Sequence, residues 1–378
     1  MSARILDPRP WPTYDFGEGH VFAPDRQLPL FDLLETTSLL RSGDALASEA
    51  LDFEGLRAVH RRDYLEHLRD LDQDPALRRS GVVHGLGSLD NPIRPGQYDA
   101  CAAIAGAAVE AVRAIVNGRH RRIFHPAGGL HHAMPATASG FCLVNDLGLS
   151  IHEALSLGLE RVAYIDFDVH HGDGVEAIFA EDPRVLTISF HEDPAVRWPH
   201  TGRIEDRGRG AGRGSVLNIP LAPGTTDRSL VECCESVSAS ALDAFRPQLL
   251  VTQHGCDPHL GDPLADLSVG TRAFLATAEL ARDLAEKHCD GRWLATGGGG
   301  YQPYTVLPLA WSIVWSVLSD RRLPDDVPPE WRARWENHAQ GSTPMRFLED
   351  EPTDPRRRRA AEINSKTVRE LGTLSGLF

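Results

Sequence analysis

Tyr164-Ile165-Asp166-Phe167-Asp168-Val169-His170-His171-Gly172-Asp173-Gly174 closes an apolar run that starts at Arg161, and it ends in acids, imidazoles and glycines. A strand sends alternate side chains to one face, so Asp166, Asp168 and His170 project together where the strand runs out. One strand end thereby offers two metal ligands and a supporting carboxylate. Burying such acids without a cation is costly, which points to a bound metal or to protonated histidine partners. A polar loop capping the helix after Gly172 is the plainer alternative. Outward from this stretch the pattern repeats. Short runs at Arg122–His125, Arg184–Phe190, Ser215–Pro220, Gln248–Gln253 and Arg292–Thr296 alternate with helical periodicity. The helical segments are Tyr98–Asn117 closed by Gly118, Asn145–Leu157 closed by Gly158, Asp227–Phe245 ended by Pro247, and Thr271–His288. This alternation predicts an α/β fold with a mostly parallel central sheet and helices on both faces. Ligands of such folds gather at the carboxyl ends of the strands. Leu307–Leu318 reads as an apolar helix with Trp311 and Trp315 on one face, in the core.

The chain has 378 residues, 42% of them hydrophobic, enough for a large core. Lys and Arg number 39 against 53 Asp and Glu, a net charge of −14, which argues against nucleic acid as a partner. Met1-Ser2-Ala3-Arg4 lacks the apolar segment of a secretory leader, and Leu307–Leu318 is too short to span a bilayer, so no membrane role is expected. Cys101, Cys142, Cys233, Cys234, Cys256 and Cys289 form no CxxC pair, which fits a reducing cytoplasm. No repeat of solenoid period is present. Residues 1–325 read as one catalytic domain, whose first ~90 residues are divided between irregular loops and helices. Residues 326–378, with five prolines and the run Arg356–Arg359, read as an appendage wrapped on the domain or as a loose tail.

Nine of the 17 histidines lie between His120 and His200, so the chemistry is sought there. Gly128-Gly129-Leu130-His131-His132 follows a strand, and its glycines permit the irregular loop that two neighbouring catalytic imidazoles would need, each ring then open to orientation by its own carboxylate; a lone histidine pair is more usually structural or solvent-facing. Thr252-Gln253-His254-Gly255-Cys256-Asp257 ends another strand with a further acid, and Gly297-Gly298-Gly299-Gly300-Tyr301 follows a fourth. The glycine run accompanies no phosphate-binding motif, so its tyrosine is the distinctive residue.

These pieces resemble the arginase/deacetylase superfamily, and within it the zinc-dependent histone deacetylases of class I type. The motifs stand in family order: GGLHHA at 128–133, SGFCLVND at 139–146, DFDVHHGDG at 166–174, WPHTG at 198–202, QHGCDPHLGDPL at 253–264 and GGGGY at 297–301. With YDFGEGH at 14–20 they are most similar to the AcuC-type deacetylases of bacterial acetoin utilisation. The resemblance implies the three-layer deacetylase fold and a metal on Asp168, His170 and Asp257, with open positions for water and substrate. Two carboxylates and an imidazole suit Zn²⁺ and admit Fe²⁺ or Mn²⁺. The metal would acidify water and polarise the acetyl carbonyl, and Tyr301 would stabilise the oxyanion. His132 would serve as general base and then acid, with His131 contributing electrostatically. Asp166 would orient His131 and Asp173 would orient His132.

The same resemblance implies a K⁺ site at Asp166, Asp168, His170, Ser189 and Phe190. It also implies an acyl-lysine channel formed by Gly140, Phe141, Trp198 and Leu264, with Asp90 at the rim. Three departures from the family pattern bear on substrate breadth: Trp198 for Phe, His200 for Gly, and Leu89 for an aromatic before Asp90. The expected activity is removal of acetyl groups from lysine side chains of proteins or peptides, with an acyl-CoA synthetase as a candidate partner. Hydrolysis of acetylpolyamines or other small amides is the alternative, and a non-catalytic acyl-lysine binding module is the alternative of another class. An arginase-like ureohydrolase is disfavoured by Tyr301 and by the absence of a two-metal DxHxD pattern.

Overall fold

A computed structural model describes residues 3–74, 76–77, 82–339 and 341–376, so Met1 and Ser2, at the head of the segment searched for a leader, lie outside the described residues. Eight strands form one sheet: β1 (Arg4–Leu6), β2 (Ala45–Leu46), β3 (Arg122–His125), β4 (Val162–Asp166), β5 (Val185–Glu192), β6 (Val216–Leu221), β7 (Leu249–Gln253) and β8 (Trp293–Thr296). Their order is β2-β1-β3-β8-β7-β4-β5-β6, and every pairing is parallel. The six longer strands fall where the sequence runs place them. The other two are additions from the amino-terminal segment, because pieces of three and two residues are too short to display a period of two.

Alternation within each strand divides the core into two layers. Ala163 and Ile165 of β4, Ile188 of β5 and Leu250 of β7 face helices Asp227–Phe245, Thr271–His288 and Val306–Leu318. Val162 and Tyr164, Val185, Leu249 and Val251 face helices Gln97–Val116, Asp146–Ser156 and Asp173–Phe179 on the other side. Both faces of β4 are buried throughout, as a parallel sheet covered by helices requires. Each fully buried aliphatic side chain contributes about 1.5–3 kcal/mol. Trp311 and Trp315 are both fully buried, and their indole N–H groups donate to the carbonyls of His254 and Leu39.

The register brings the strand ends into line. His125 lies opposite Thr296, Thr296 opposite Gln253, Gln253 opposite Asp166, and Asp166 opposite Ser189. The segments that follow β3, β8, β7 and β4 therefore leave the sheet along one edge, and these are the four motif segments.

The carboxyl-terminal residues pack against the rest of the chain. Trp331 and Phe347 are buried with Leu33, Leu309 and Val327. Helix Arg357–Ser375 lies against β6 and helix Asp227–Phe245, with Asn364 buried. The Asn364 side chain accepts from the Ala222 N–H and donates to the hydroxyls of Thr225 and Ser229. Arg356 pairs with Asp266 and Asp354, while Arg357, Arg358 and Arg359 stay exposed.

Candidate active site

Asp166 is the last residue of β4, and its Oδ2 accepts from the Tyr164 hydroxyl at 2.5 Å and lies 2.7 Å from His131 Nδ1. Its Oδ1 accepts from the Asp168 N–H. The second dyad has the same form: His132 Nδ1 lies 2.7 Å from Asp173 Oδ1 at the start of the helix after Gly172. The two imidazoles are neighbours, with ring centroids 3.9 Å apart. What allows consecutive histidines to converge is the loop after β3, which is tied down by Asp146. That carboxylate accepts from the backbone N–H groups of Gly129 and Leu130 at 2.9 and 2.8 Å.

Asp168, His170 and Asp257 converge one step away, each offering a ligand atom within 4.8 Å of the others. His170 Nδ1 stands 3.2 Å from Asp168 Oδ1 and 3.1 Å from Asp257 Oδ2. The remaining carboxylate oxygens are already engaged. Asp168 Oδ2 accepts from the Gln253 side chain and the Gly299 N–H, and Asp257 Oδ1 accepts from the Val169 N–H. Backbone crowds the acids closely. A Cβ at Gly299 would lie 2.0 Å from Asp257 Oδ2, and one at Gly255 would lie 2.2 Å from Asp168 Oδ2.

The electrostatics fit a cation. Burial and then the neighbouring Asp168 charge push Asp257 up to about 7, whereas Asp168 is held low against its own burial by His131 and His170. Burial also opposes charge on His170, but the two carboxylates outweigh it and raise the imidazole to about 10. Two buried acids thus share one imidazole, and burial beside the Asp168 charge resists ionisation of Asp257, a repulsion that a divalent metal would relieve. The dyads differ as well. Asp166 and Asp168 raise His131 to about 9 in spite of burial, and burial with repulsion from His131 lowers His132 to about 4.

Tyr301 follows the glycine run and lines a small cavity with His131, His132, Phe141, Cys142 and Asp168. Its N–H donates to Asp262, and its ring meets Phe141 edge-on at 5.7 Å. A second cavity of about 190 Å³ brings together Asp90, Gly140, Phe141, Trp198 and Leu264, the residues expected for substrate, with His170 and Arg197. Trp198 packs edge-on against His132 at 4.6 Å. Of the residues expected for a monovalent cation, Ser189 stands beside Asp166 across the β4–β5 pairing, and Phe190 stacks on Phe167. A larger surface cavity of about 540 Å³, between Thr226, Glu232, Glu351 and Arg358, shares no lining residue with this region and mixes both signs of charge.

Several participants were not assigned roles from sequence. Gln253 and Asp262 lie inside quoted motifs and carried a usable signal. Asp146, in SGFCLVND, did too. Arg26 is buried under the glycine run and donates to the Gly298 carbonyl; nothing in its local sequence marks it.

A parallel α/β sheet whose aligned strand ends carry paired His–Asp dyads beside an Asp–His–Asp cluster defines a metal-site hydrolase of the deacetylase type. The chain belongs to the histone deacetylase family: residues 20–318 match the Histone deacetylase domain. It is an AcuC-like deacetylase. The Acetoin utilization protein AcuC of Bacillus subtilis (strain 168) is 33% identical over 359 residues, 94% of this chain and 93% of that protein. AcuC of Staphylococcus aureus (strain MRSA252) is 30% identical over 95% of this chain and 94% of its own length. Among solved structures, an HDAC homolog complexed with SAHA superposes with a TM-score of 0.85 at 25% identity, covering 98% of this chain and 100% of the other. An HDAC homolog from Aquifex aeolicus gives 0.84 at the same identity and coverage. The fold is accordingly the arginase/deacetylase fold.

Proposed function

We propose that the chain removes acetyl groups from lysine side chains of proteins, with Zn²⁺ held by Asp168, His170 and Asp257. When bound there, the metal would supply Lewis acidity to water and to the acetyl carbonyl. The protein's own groups do the rest. His132, fixed through Nδ1 by Asp173, takes a proton from the attacking water and returns it to the leaving amine. His131, fixed by Asp166, adds positive charge beside the reacting atoms. Tyr301 donates its phenol proton to the carbonyl oxygen as negative charge develops there. Phe141 and Trp198 hold the lysine stem and exclude water. Asp90, at the exposed end of the same cavity, accepts from the substrate backbone.

The observation that carries this reading is the joining of a buried His170 to an exposed Asp90 by one cavity with apolar walls, the shape an acyl-lysine stem requires. Asp166, Asp168, His170, Ser189 and Phe190 hold K⁺ in this reading. An acyl-CoA synthetase is the candidate protein substrate. The six free, buried cysteines favour a reducing cytoplasm, and no helix among the described residues is long and apolar enough to cross a membrane. The test compares kcat/KM for an acetyl-lysine peptide and an acetylpolyamine, together with metal analysis of the purified enzyme. Preference for the peptide and one equivalent of zinc are expected; preference for the polyamine would overturn the substrate assignment.

A further inference from the structure

The cavity that leads to His170 has two charged groups at its outer end, and only Asp90 had a role. The other is Arg197, on the loop between β5 and β6. Burial gives the cavity its direction: His170 is buried, whereas Trp198 is 38% exposed and Asp90 lies open to solvent. Arg197 sits at the open end with its side chain 23% exposed.

This arginine is not a free surface charge. Its Nε donates to Glu192 Oε2 at 2.6 Å, and the Glu192 side chain is fully buried at the end of β5. The same oxygen accepts from the Asp266 N–H. The backbone of Arg197 is also fixed, its N–H donating to the Asp193 carbonyl and its carbonyl accepting from the His200 N–H. Glu192 thus orients the guanidinium fork through one edge. Among the described residues, neither Nη group donates to a protein acceptor, so the outer edge of the fork is available to the cavity. A planar fork held on one side presents its remaining donors in a set direction, which a flexible ammonium does not.

Asp90 and Arg197 therefore place an acceptor and a donor at one opening. We propose that Arg197 is a specificity-determining residue that hydrogen-bonds the carbonyl on the α-carbon of the acetyl-lysine, and so selects acetylated lysine over acetylated diamines of equal stem length. The inference rests on the deacetylase reading above and names the feature of its substrate that the mouth recognises. A diamine has no acceptor at that position, so it leaves the Nη groups to water. Because Glu192 neutralises the guanidinium, the selection works through short hydrogen bonds and not through the field of the chain. It is consequently insensitive to salt, and compatible with a net charge of −14.

The test uses two amides that differ in the α-carbonyl. Nα,Nε-diacetyl-lysine methylamide carries it, whereas N,N′-diacetylcadaverine keeps the stem and the Nα-acetamide without it. In the metal-loaded wild-type enzyme, kcat/KM should favour the lysine compound by about tenfold or more. Removing Arg197 alone would strand the Glu192 carboxylate, so the variant is Glu192→Gln/Arg197→Gln, with Glu192→Gln as its control and its fold checked by thermal melting. The double variant should lose about fivefold or more of the preference, through KM for the lysine compound, while Glu192→Gln loses less. Arg197→Lys, whose single ammonium is spent on Glu192, should lose preference as well and serves if the double variant does not fold. A wild type that favours the cadaverine compound overturns both the inference and the protein-lysine reading. A wild-type preference that survives loss of the guanidinium overturns the inference alone.

Discussion

The two ends of the proposed substrate cavity are built by different means. At its inner end, Asp166 closes β4, Asp173 opens a helix, and Asp168 and Asp257 sit in the segments that follow β4 and β7; all four are nearly or fully buried, and each is held by hydrogen bonds from backbone or from the other site residues. At its outer end, Asp90, Arg197, Trp198 and Leu264 stand on loops, partly open to water. Phe141 and His200, beside this opening, adopt left-handed backbone with φ of 63° and 65°. In the proposed reading, reaction chemistry thus rests on buried segments anchored where they leave the sheet, and selection among substrates rests on exposed loops farther from it.

The difference is broken most severely at the inner end. Asp168→Ala or Asp257→Ala should abolish metal binding and turnover while the fold survives, because each removes one of the three proposed ligands and none of the core. Metal content and hydrolysis of an acetyl-lysine peptide, measured on the same sample, decide it; full turnover in a metal-free variant would remove the ligand assignment. Next in size is Tyr301→Phe, which should lower kcat by about 10²–10³ and leave metal content unchanged. His132→Ala should be at least as damaging. If both variants kept the parental rate, the proton and oxyanion roles would have to be reassigned.

Changes at the outer end should be smaller and should alter which substrates are used. Trp198→Ala removes the ring that packs against His132 and enters the cavity. The ratio of kcat/KM for a longer acyl-lysine peptide to that for acetyl-lysine should rise by about tenfold. An unchanged ratio would mean that this wall does not gauge the acyl chain.

The mildest test lies away from both ends. Burial holds His60 and His125 near 4, His60 accepting from the Asn145 N–H and His125 set against the Ile104 carbonyl. Unfolded histidine titrates near 6.5, so between these values the unfolded chain binds more protons and stability falls as pH is lowered. Each residue should cost about 1.4 kcal/mol per pH unit within that window. Thermal midpoints from pH 7 to pH 5 should decline, and His60→Gln should flatten the decline. An equal decline in the variant would show that His60 is not its source.

The same contrast explains what could be read in the sequence. The motif segments were legible because a polar, glycine-rich strand end interrupts an otherwise apolar run, and Asp166, His170 and Tyr301 stand out against that background. Helix ends were legible at Gly118 and Gly158, both in left-handed backbone. Arg4–Leu6 and Ala45–Leu46 were not, since strands this short have no periodicity of their own and exist through pairing with β3 and with each other. Arg197 escaped because its significance depends on Glu192, buried five residues earlier, and on a cavity assembled from distant segments. For residues 326–378 a wrapped appendage and a loose tail read alike, because Trp331, Phe347 and Asn364 bury against partners far away in the chain.

The glycines that press against the acids have a consequence for how such a protein can change over generations. With 2.0 Å between a Cβ at Gly299 and Asp257 Oδ2, and 2.2 Å between one at Gly255 and Asp168 Oδ2, a side chain at either position would push against an acid proposed to hold the metal. On the proposed metal assignment, those codons should tolerate little drift that keeps activity. At the opening Gly140 is held in the same way, since a Cβ there would lie 2.4 Å from the His132 ring, but Asp90, Arg197 and Leu264 stand on partly exposed loops whose codons have more room to change. Descendants of this chain would be expected to acquire new substrates readily and new chemistry rarely.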